Sequence, residues 1–321
     1  MKRIVILVII VCTICACYNT KASNAKISGF IKNPKGNKVT LQVQSLDKLF
    51  TFEIDSKGFF KGEIDVKEGL YARLVNNKVA IPLYLEPGVN IELSYDRSEV
   101  KKGKYSSVKI AGKGNIETKM MLNFYEKQLS HSSQELFVLT PIEFQKLQRE
   151  TAKFNLNIID DFVSSNKSIN KDFVKLFKYQ VQITLAASFF YYPSYHSMMN
   201  KQDKSAIPKN FNFFIEKLPK NNIDVYTKVY RYNTYEVSVW NQLLMEKVMP
   251  LQSDMVKLFN TYIDELKSLK LAQPIMDDVA NNFIMQQYKA APDNIKEILK
   301  KRYPEVVKNK RYISNYKTMM K

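Results

Sequence analysis

The amino-acid sequence predicts an α+β fold with two domains, a small antiparallel β-sandwich-like domain followed by an all-helical domain. All nine glycines lie between Gly29 and Gly114, and none occurs in the long remainder of the chain. Hydrophobic residues alternate with polar ones before residue 114 and recur every three or four residues after it. Because hairpin turns need glycine for positive φ whereas helical bundles do not, the loss of glycine predicts the domain boundary.

The N-terminus has the pattern of a bacterial secretion signal. Lys2 and Arg3 precede an apolar stretch over residues 4–11, and small residues lead to Cys17. This order resembles a lipobox, which predicts that Cys17 becomes the acylated first residue of the mature chain and anchors it in a membrane. The alternative is an ordinary signal peptide cleaved a few residues later, near Ala22. We divide the chain into a lipoprotein signal peptide (1–16), a linker (17–25), a β-sandwich-like domain (26–114) and a helical domain (115–321).

The β domain is predicted from period-two alternation between turn signals. Residues 55–58 (DSKG) and 86–89 (EPGV) are typical of tight turns, in which Pro87 sets φ and Gly88 takes positive φ. About six or seven short antiparallel strands are expected, which suggests a sandwich or barrel. The clearest alternating segments are residues 39–43, 50–54, 60–66, 79–85 and 89–95.

Helical spacing dominates the second domain. The residues Phe144, Leu147, Thr151, Phe154 and Ile158 form one predicted apolar stripe. Thr140 and Glu143 around Pro141 are typical of a capping box at a helix start. Further helix starts are predicted near Asn115, Asn170, Ala206, Asn222, Ser253 and Asp293, and further breaks near Pro193, Pro208, Pro219, Pro250, Pro274 and Pro304.

Cysteine and histidine are too few for several kinds of chemistry. Three cysteines and two histidines cannot build a disulfide scaffold or a Cys/His zinc site. The C-x-x-C spacing of Cys12 and Cys15 falls in the leader, which we expect to be removed. Neither His131 nor His196 has a triad or zinc-protease motif around it, and His196 is expected to pack at a helix end. The sequence therefore assigns no catalytic residue, no metal ligand and no cofactor.

The remaining charged and glycine-rich features have structural explanations. The pairs Asp160/Asp161 and Asp277/Asp278 are adjacent on predicted helices, so their side chains do not face each other and are expected to be solvated. The segment 112–115 (GKGN) could form an anion-binding nest, but it has neither dinucleotide nor P-loop spacing and is better explained as a domain junction.

Positive charge is distributed along the whole chain. The formal charge is 49 − 31 = +18, and only residues 295–321 concentrate it. This C-terminal segment could bind anionic lipid or an acidic partner, or it could be a solvated terminal helix. Secretion and the even spread of charge argue against nucleic acid as a partner.

A family resemblance rests on four short segments in order. Residues 26–31 (KISGFI), 55–60 (DSKGFF), 81–88 (IPLYLEPG) and 110–115 (IAGKGN) resemble the N-terminal β domain of periplasmic, membrane-anchored thiol–disulfide oxidoreductases related to TlpA. In that family a helical region follows, and then a thioredoxin domain with a W-C-x-x-C motif. The resemblance implies the same order of β and helical regions in this chain.

The chain departs from that family at its functional end. The only tryptophan, Trp240, has no cysteine beside it, and Lys321 falls about where the thioredoxin domain would begin. Either the gene encodes a stand-alone lipoprotein or it is a truncated relative of a longer reductase. The sequence favours a non-catalytic binding or interaction lipoprotein of the bacterial cell envelope, facing the periplasm or in the outer membrane, with an envelope protein, peptide or glycan as partner. The alternative is an accessory role beside a separate thioredoxin-like protein.

Overall fold

The computed structural model describes residues 24–43, 48–100, 104–200, 211, 217–229 and 231–319. Strands occupy the first part of this range and helices the second, so the predicted α+β fold class is confirmed. The strands are β1 (Asn24–Lys32), β2 (Lys38–Val43), β3 (Lys48–Glu53), β4 (Phe59–Asp65), β5 (Leu70–Asn76), β6 (Val79–Leu85), β7 (Asn90–Asp96) and β8 (Lys109–Lys113).

The strands form two four-stranded sheets. One has the order β4-β1-β7-β8 and the other β3-β2-β5-β6. Alternate residues from both sheets point into a shared core, for example Ile27 and Ile91 from the first and Leu74 from the second, all 0% exposed. This confirms a sandwich-like region built on period-two alternation.

One strand pair differs from the prediction that every pair is antiparallel. β1 and β7 are parallel, with Ile27 beside Ile91 and Leu93 beside Gly29. From β1 the chain forms β2 and β3 in the second sheet and returns as β4 on one side of β1. It then forms β5 and β6 in the second sheet and returns as β7 on the other side of β1. Strand direction in such a distant pair depends on this crossing path, which hydrophobic alternation does not encode.

The two predicted turns form as their residues indicate. The Gly58 N–H donates to the Asp55 carbonyl at 3.0 Å, and Gly58 has φ of 93°. The Val89 N–H donates to the Glu86 carbonyl at 3.2 Å, with Gly88 at φ of 77°. Both glycines take the left-handed region that other residues rarely adopt.

The helices begin directly after the last strand, since β8 ends at Lys113 and the first helix begins at Asn115. The helices are α1 (Asn115–Lys127), α2 (Ser133–Phe137), α3 (Pro141–Ser165), α4 (Lys171–Asn200), α5 (Ile223–Lys228), α6 (Tyr232–Val248), α7 (Met255–Ser268), α8 (Gln273–Tyr288), α9 (Asp293–Val306) and α10 (Lys310–Met319).

Several helix starts follow the predicted capping chemistry. The Thr140 side chain accepts from the Glu143 N–H, and the Glu143 carboxylate accepts from the Thr140 N–H at 2.9 Å, which is the expected capping box. Asn222 caps α5 by accepting from the Val225 N–H. The start predicted near Ala206 lies outside the described residues.

The helix break predicted at Pro193 is wrong. Pro193 lies inside α4, which continues to Asn200. Tyr192 before it and His196 after it are buried, at 0% and 5% exposure. Their burial outweighs the loss of the backbone hydrogen bond that proline imposes.

The helical region is attached to the second sheet along its edge strand β6. The Tyr84 N–H donates to the Thr118 hydroxyl of α1 at 3.1 Å, so helix α1 satisfies part of an exposed strand edge. The Tyr84 ring lies 4.4 Å from the Phe173 ring of α4. The Lys228 ammonium pairs with the Glu68 carboxylate at 2.9 Å. These contacts fix α1, α4 and α5 relative to the strands.

Candidate functional site

The sequence-predicted lipidation residue, Cys17, lies outside the described residues. In the part of the chain that is described, no cluster of three His, Cys, Asp or Glu side chains is arranged to hold a metal ion. None of the helices in those ranges combines the length and apolarity needed to cross a membrane.

One acidic pair behaves as predicted and the other does not. Asp160 and Asp161 are exposed, and Asp160 pairs with Lys178 at 2.5 Å. Asp277, in contrast, is 5% exposed and accepts the Lys308 N–H at 2.6 Å, so the expectation of a solvated pair is wrong for Asp277 and Asp278.

The structural reason for this correction is a set of contacts between distant helices. Asp278 accepts hydroxyls from Tyr226 at 2.5 Å and Tyr312 at 2.6 Å. Burial, followed by the bond to Asp278, raises the pKa of Tyr226, which therefore stays a hydrogen-bond donor. The two carboxylates consequently connect α5, α8 and the C-terminal helices.

The glycine-rich segment 112–115 forms the junction between β8 and α1. Gly112 and Gly114 have φ of 87° and 81°. The Asn115 side chain folds back and donates to the Gly112 carbonyl. The basic C-terminal segment is partly neutralised, since Arg302 pairs with Asp264 at 2.5 Å and Lys300 with Glu297 at 2.8 Å.

The strongest candidate site is a cleft of about 760 Å³ among the first four helices. One face of α3, one face of α4, the end of α1, helix α2 and the loop 128–132 surround it. Arg231, at the start of α6, completes its lining. We call this space the helical cleft. Its volume falls in the range of roughly 300–1,000 Å³ that is typical of small-ligand sites.

The α3 face of the helical cleft is polar, and it corrects part of the predicted apolar stripe. Phe144, Thr151 and Ile158 of that stripe are buried as predicted. Phe154, predicted to face the core, is 44% exposed. Gln148, Thr151 and Asn155 are polar residues of this helix that are buried, at 2%, 3% and 4% exposure. They are spaced by three and four positions, so they form one line along the helix.

Two of these residues hold the loop 128–132 in place. The Asn155 side chain accepts from the Leu129 N–H at 2.9 Å and donates to the Leu129 carbonyl at 3.0 Å. Thr151 donates its hydroxyl proton to the Leu147 carbonyl at 2.8 Å, so it accepts from His131 Nε2 at 3.1 Å. The proton of a neutral His131 is therefore on Nε2, and Nδ1 is left as an acceptor.

Two glutamines that line the helical cleft each have an amide oxygen without a hydrogen-bond partner. Gln148 Oε1 on α3 and Gln180 Oε1 on α4 are both buried and unpaired. A buried polar atom without a partner costs about 1–3 kcal/mol. Unpaired groups of this kind are rare in native proteins, and a bound ligand is one way to supply the missing donors.

Aromatic side chains form the rim of the helical cleft. Tyr191 and Tyr195, one turn apart on α4, are 40% and 44% exposed, and their ring planes are inclined by 81°. Phe137 stacks on Tyr195 with centroids 5.1 Å apart. His196 is buried as expected and lies behind this rim, where its Nδ1 donates to the Phe137 carbonyl at 2.9 Å.

The charge of the lining restricts what the helical cleft can do. Among the described lining residues there is no Asp, Glu or Lys, and Arg231 and His131 are the titratable groups besides tyrosines. A carboxylate pair for acid–base catalysis is absent from that set. The arrangement is suited to holding a ligand by hydrogen bonds and stacking.

A second cleft, of about 840 Å³, lies on the outer face of the sheet β4-β1-β7-β8. Phe30 and Phe59 stand in it with ring centroids 5.1 Å apart, and Phe59 is 53% exposed. None of the described residues that line it has a buried unpaired polar atom. The helical cleft is therefore the better candidate, although it is the smaller of the two.

Comparison of the chain with models of protein families, with curated proteins and with solved structures finds no match. The resemblance to thiol–disulfide oxidoreductases therefore stays a prediction.

Proposed function

We propose that this protein is a non-catalytic binding lipoprotein of the bacterial cell envelope, and that its helical cleft holds a small polar ligand. The observation that carries the proposal is Gln148, which lines the cleft, is 2% exposed and has a buried amide oxygen without a hydrogen-bond partner. A fold that needed no ligand would gain stability from an apolar residue at this position.

The rigidity of the surroundings supports a binding role. Asn155 fixes the loop 128–132 through two hydrogen bonds, and the cleft is therefore formed before a ligand arrives. The Tyr192 hydroxyl donates to the Leu139 carbonyl at 2.6 Å and ties α4 to the segment after α2. A site that is already formed loses less conformational entropy on binding.

The proposed location rests on the leader sequence. We expect Cys17 to be acylated and the protein to partition with membranes. Cys17→Ser should release the protein from the membrane fraction or stop its maturation, and mass spectrometry should find acyl chains on the wild-type N-terminus. An unmodified N-terminus beyond Cys17 would contradict the lipid anchor.

The binding function can be tested by filling the helical cleft. Thr184 is exposed, lines the cleft, and donates its hydroxyl to the Gln180 carbonyl at 3.1 Å. Thr227 on α5 is a matched control, because it is also exposed and donates to the Ile223 carbonyl at 2.8 Å. Thr184→Trp should place an indole in the cleft, whereas Thr227→Trp should not.

The measurement is a thermal-shift screen of sugars, amino acids and short peptides against the full chain. A ligand that stabilises the wild type and Thr227→Trp but not Thr184→Trp would support the proposal. Ligands that stabilise both variants equally would show that binding occurs elsewhere.

The accessory role in thiol–disulfide exchange remains the alternative hypothesis. A pull-down from envelope extracts separates the two: recovery of a thioredoxin-like protein favours the accessory role. Recovery of glycan or nutrient-uptake components favours the binding role.

A further inference from the structure

We infer that the ligand of the helical cleft is an uncharged saccharide. This inference rests on the proposed binding function and adds the chemical class of the ligand. Three properties of the cleft lead to it: its unpaired amides, its lack of carboxylates, and the corner formed by its exposed tyrosines.

The unpaired amides require a ligand that donates hydrogen bonds. Gln148 Oε1 and Gln180 Oε1 are acceptors on two helices that pack against each other. A phosphate or carboxylate ligand would offer only acceptors to these oxygens. Sugar hydroxyls donate and accept at the same atom, so they can pair with either end of a glutamine amide.

The charges of the cleft indicate a neutral ligand. The described lining residues include no Asp or Glu, so a cationic ligand has no counter-charge there. Arg231 and His131 alone could favour an anion, but His131 Nε2 is already bonded to Thr151 at 3.1 Å. The remaining polar lining consists of amides and hydroxyls, including Thr184 and Ser188.

The rim provides aromatic surface for a sugar ring. Tyr191 and Tyr195 stand nearly perpendicular, with centroids 6.1 Å apart, and each is about two-fifths exposed. The Phe137 ring stacks on the Tyr195 ring. Gln180 and Tyr195 lie on the same helix, about 22 Å apart along its axis. One ring of an oligosaccharide can therefore pack its apolar C–H face on Tyr195 while the hydroxyls of other rings pair with the amides.

A peptide is the competing class of ligand, and the cleft suits it less well. Its walls are helices, so no free strand edge is available to pair with a peptide backbone. A helical peptide would need an apolar groove, whereas Gln148, Thr151 and Asn155 make this wall polar. Arrays that contain both saccharides and short peptides distinguish these two classes of ligand.

The test uses the full chain, purified in a detergent without a sugar headgroup. Arrays of neutral oligosaccharides, acidic oligosaccharides and short peptides identify binders, and titration calorimetry measures their affinity. We expect neutral oligosaccharides to bind the wild type. Gln148→Leu and Gln180→Leu should each weaken that binding about tenfold, because each removes a hydrogen bond worth about that factor.

Two further comparisons show that the loss is specific. Tyr195→Phe should keep the affinity because the ring remains, whereas Tyr195→Ala should weaken it. Gln242→Leu is the control, since Gln242 is exposed on α6 and bonded to Glu246 outside the cleft. The Gln148→Leu protein should bind neutral oligosaccharides weakly, yet melt at a temperature no lower than the wild type. That result would exclude misfolding as the cause of the weaker binding.

The outcomes separate the two proposals. Binding only to peptides or acidic saccharides, abolished by Thr184→Trp, would overturn the inference of a neutral saccharide and leave the binding function standing. Neutral saccharide binding that Thr184→Trp and Gln148→Leu leave unchanged would overturn the assignment to this cleft. No binding to any of the three classes, together with no stabilising ligand in the thermal-shift screen, would overturn both.

Discussion

The junction between strands and helices predicts a large effect for Phe173→Ala. Phe173 is 0% exposed, and its ring contacts three aromatic neighbours: Tyr84 at 4.4 Å, Phe177 at 5.7 Å and Tyr71 at 6.0 Å. Truncation removes these ring contacts and leaves a cavity that the packed neighbours cannot fill. Phenylalanine-to-alanine changes in cores cost about 3–5 kcal/mol, and the three ring contacts place this site in the upper half of that range.

Urea unfolding followed by circular dichroism measures the change in the free energy of unfolding. Phe154→Ala is the matched control, since Phe154 lies on α3 in the same helical region but is 44% exposed. We expect the control to lose less than about 1 kcal/mol. A loss for Phe173→Ala no larger than that of the control would refute the packing described for the junction.

Three further predictions follow from single side chains. Burial raises the pKa of Glu236, although the bonds that its carboxylate accepts from the Asn221 N–H and the Trp240 indole oppose this shift. The folded protein therefore favours the protonated carboxyl, and the resulting stabilisation is present at acid pH and lost as the pH rises through the folded-state pKa. Glu236→Gln should therefore melt at a higher temperature than the wild type at neutral pH, with the difference closing toward pH 4; a constant difference would contradict this. Asn155→Ala should destabilise the fold by about 2 kcal/mol and speed amide hydrogen exchange at Leu129, because the Leu129 N–H and the Leu129 carbonyl both lose their partner. An unchanged exchange rate at Leu129 would contradict this prediction. Gln148→Leu should raise the free energy of unfolding by about 1 kcal/mol, since it removes an unpaired buried oxygen; a clear destabilisation in urea would show that the amide is structural.

Local signals in the sequence were sufficient for the elements whose cause is local. The turn at Gly58 and the capping box at Thr140 depend on neighbouring residues only, and both form as predicted. The parallel pairing of β1 with β7 depends on the path of the chain through the other sheet, and residue patterns carry no information about it.

The helical cleft was not predicted, although one signal was present. The predicted stripe on α3 used Leu147 and Phe154 because hydrophobicity ranked them above their polar neighbours. In the structure Leu147 is half-buried and Phe154 is exposed, whereas the other members of the stripe are buried. Gln148 and Asn155 are buried as well. Polar residues at helical spacing between Phe144 and Ile158 could have indicated a polar cavity, but only the packing of α3 against α4 and the loop 128–132 decides which face is covered.

Asp277 and Asp278 show the same limit of sequence reasoning. Adjacent acidic residues on a helix are usually solvated, and the residues next to Asp277 and Asp278 in sequence do not indicate the contacts that this pair makes. Gln273, four positions away, donates to Asp277, but the other partners are at least 30 positions away. These are Tyr226, Lys308 and Tyr312. Such contacts can be recognised only once the helices are placed.

A crystal structure with the tightest-binding neutral oligosaccharide tests the central claim most directly. The account predicts that the saccharide lies in the helical cleft, with hydroxyls within about 3.2 Å of the Gln148 and Gln180 amide oxygens and a sugar ring against Tyr195. A saccharide bound instead on the outer sheet face, between Phe30 and Phe59, with the helical cleft filled only by water, would contradict it.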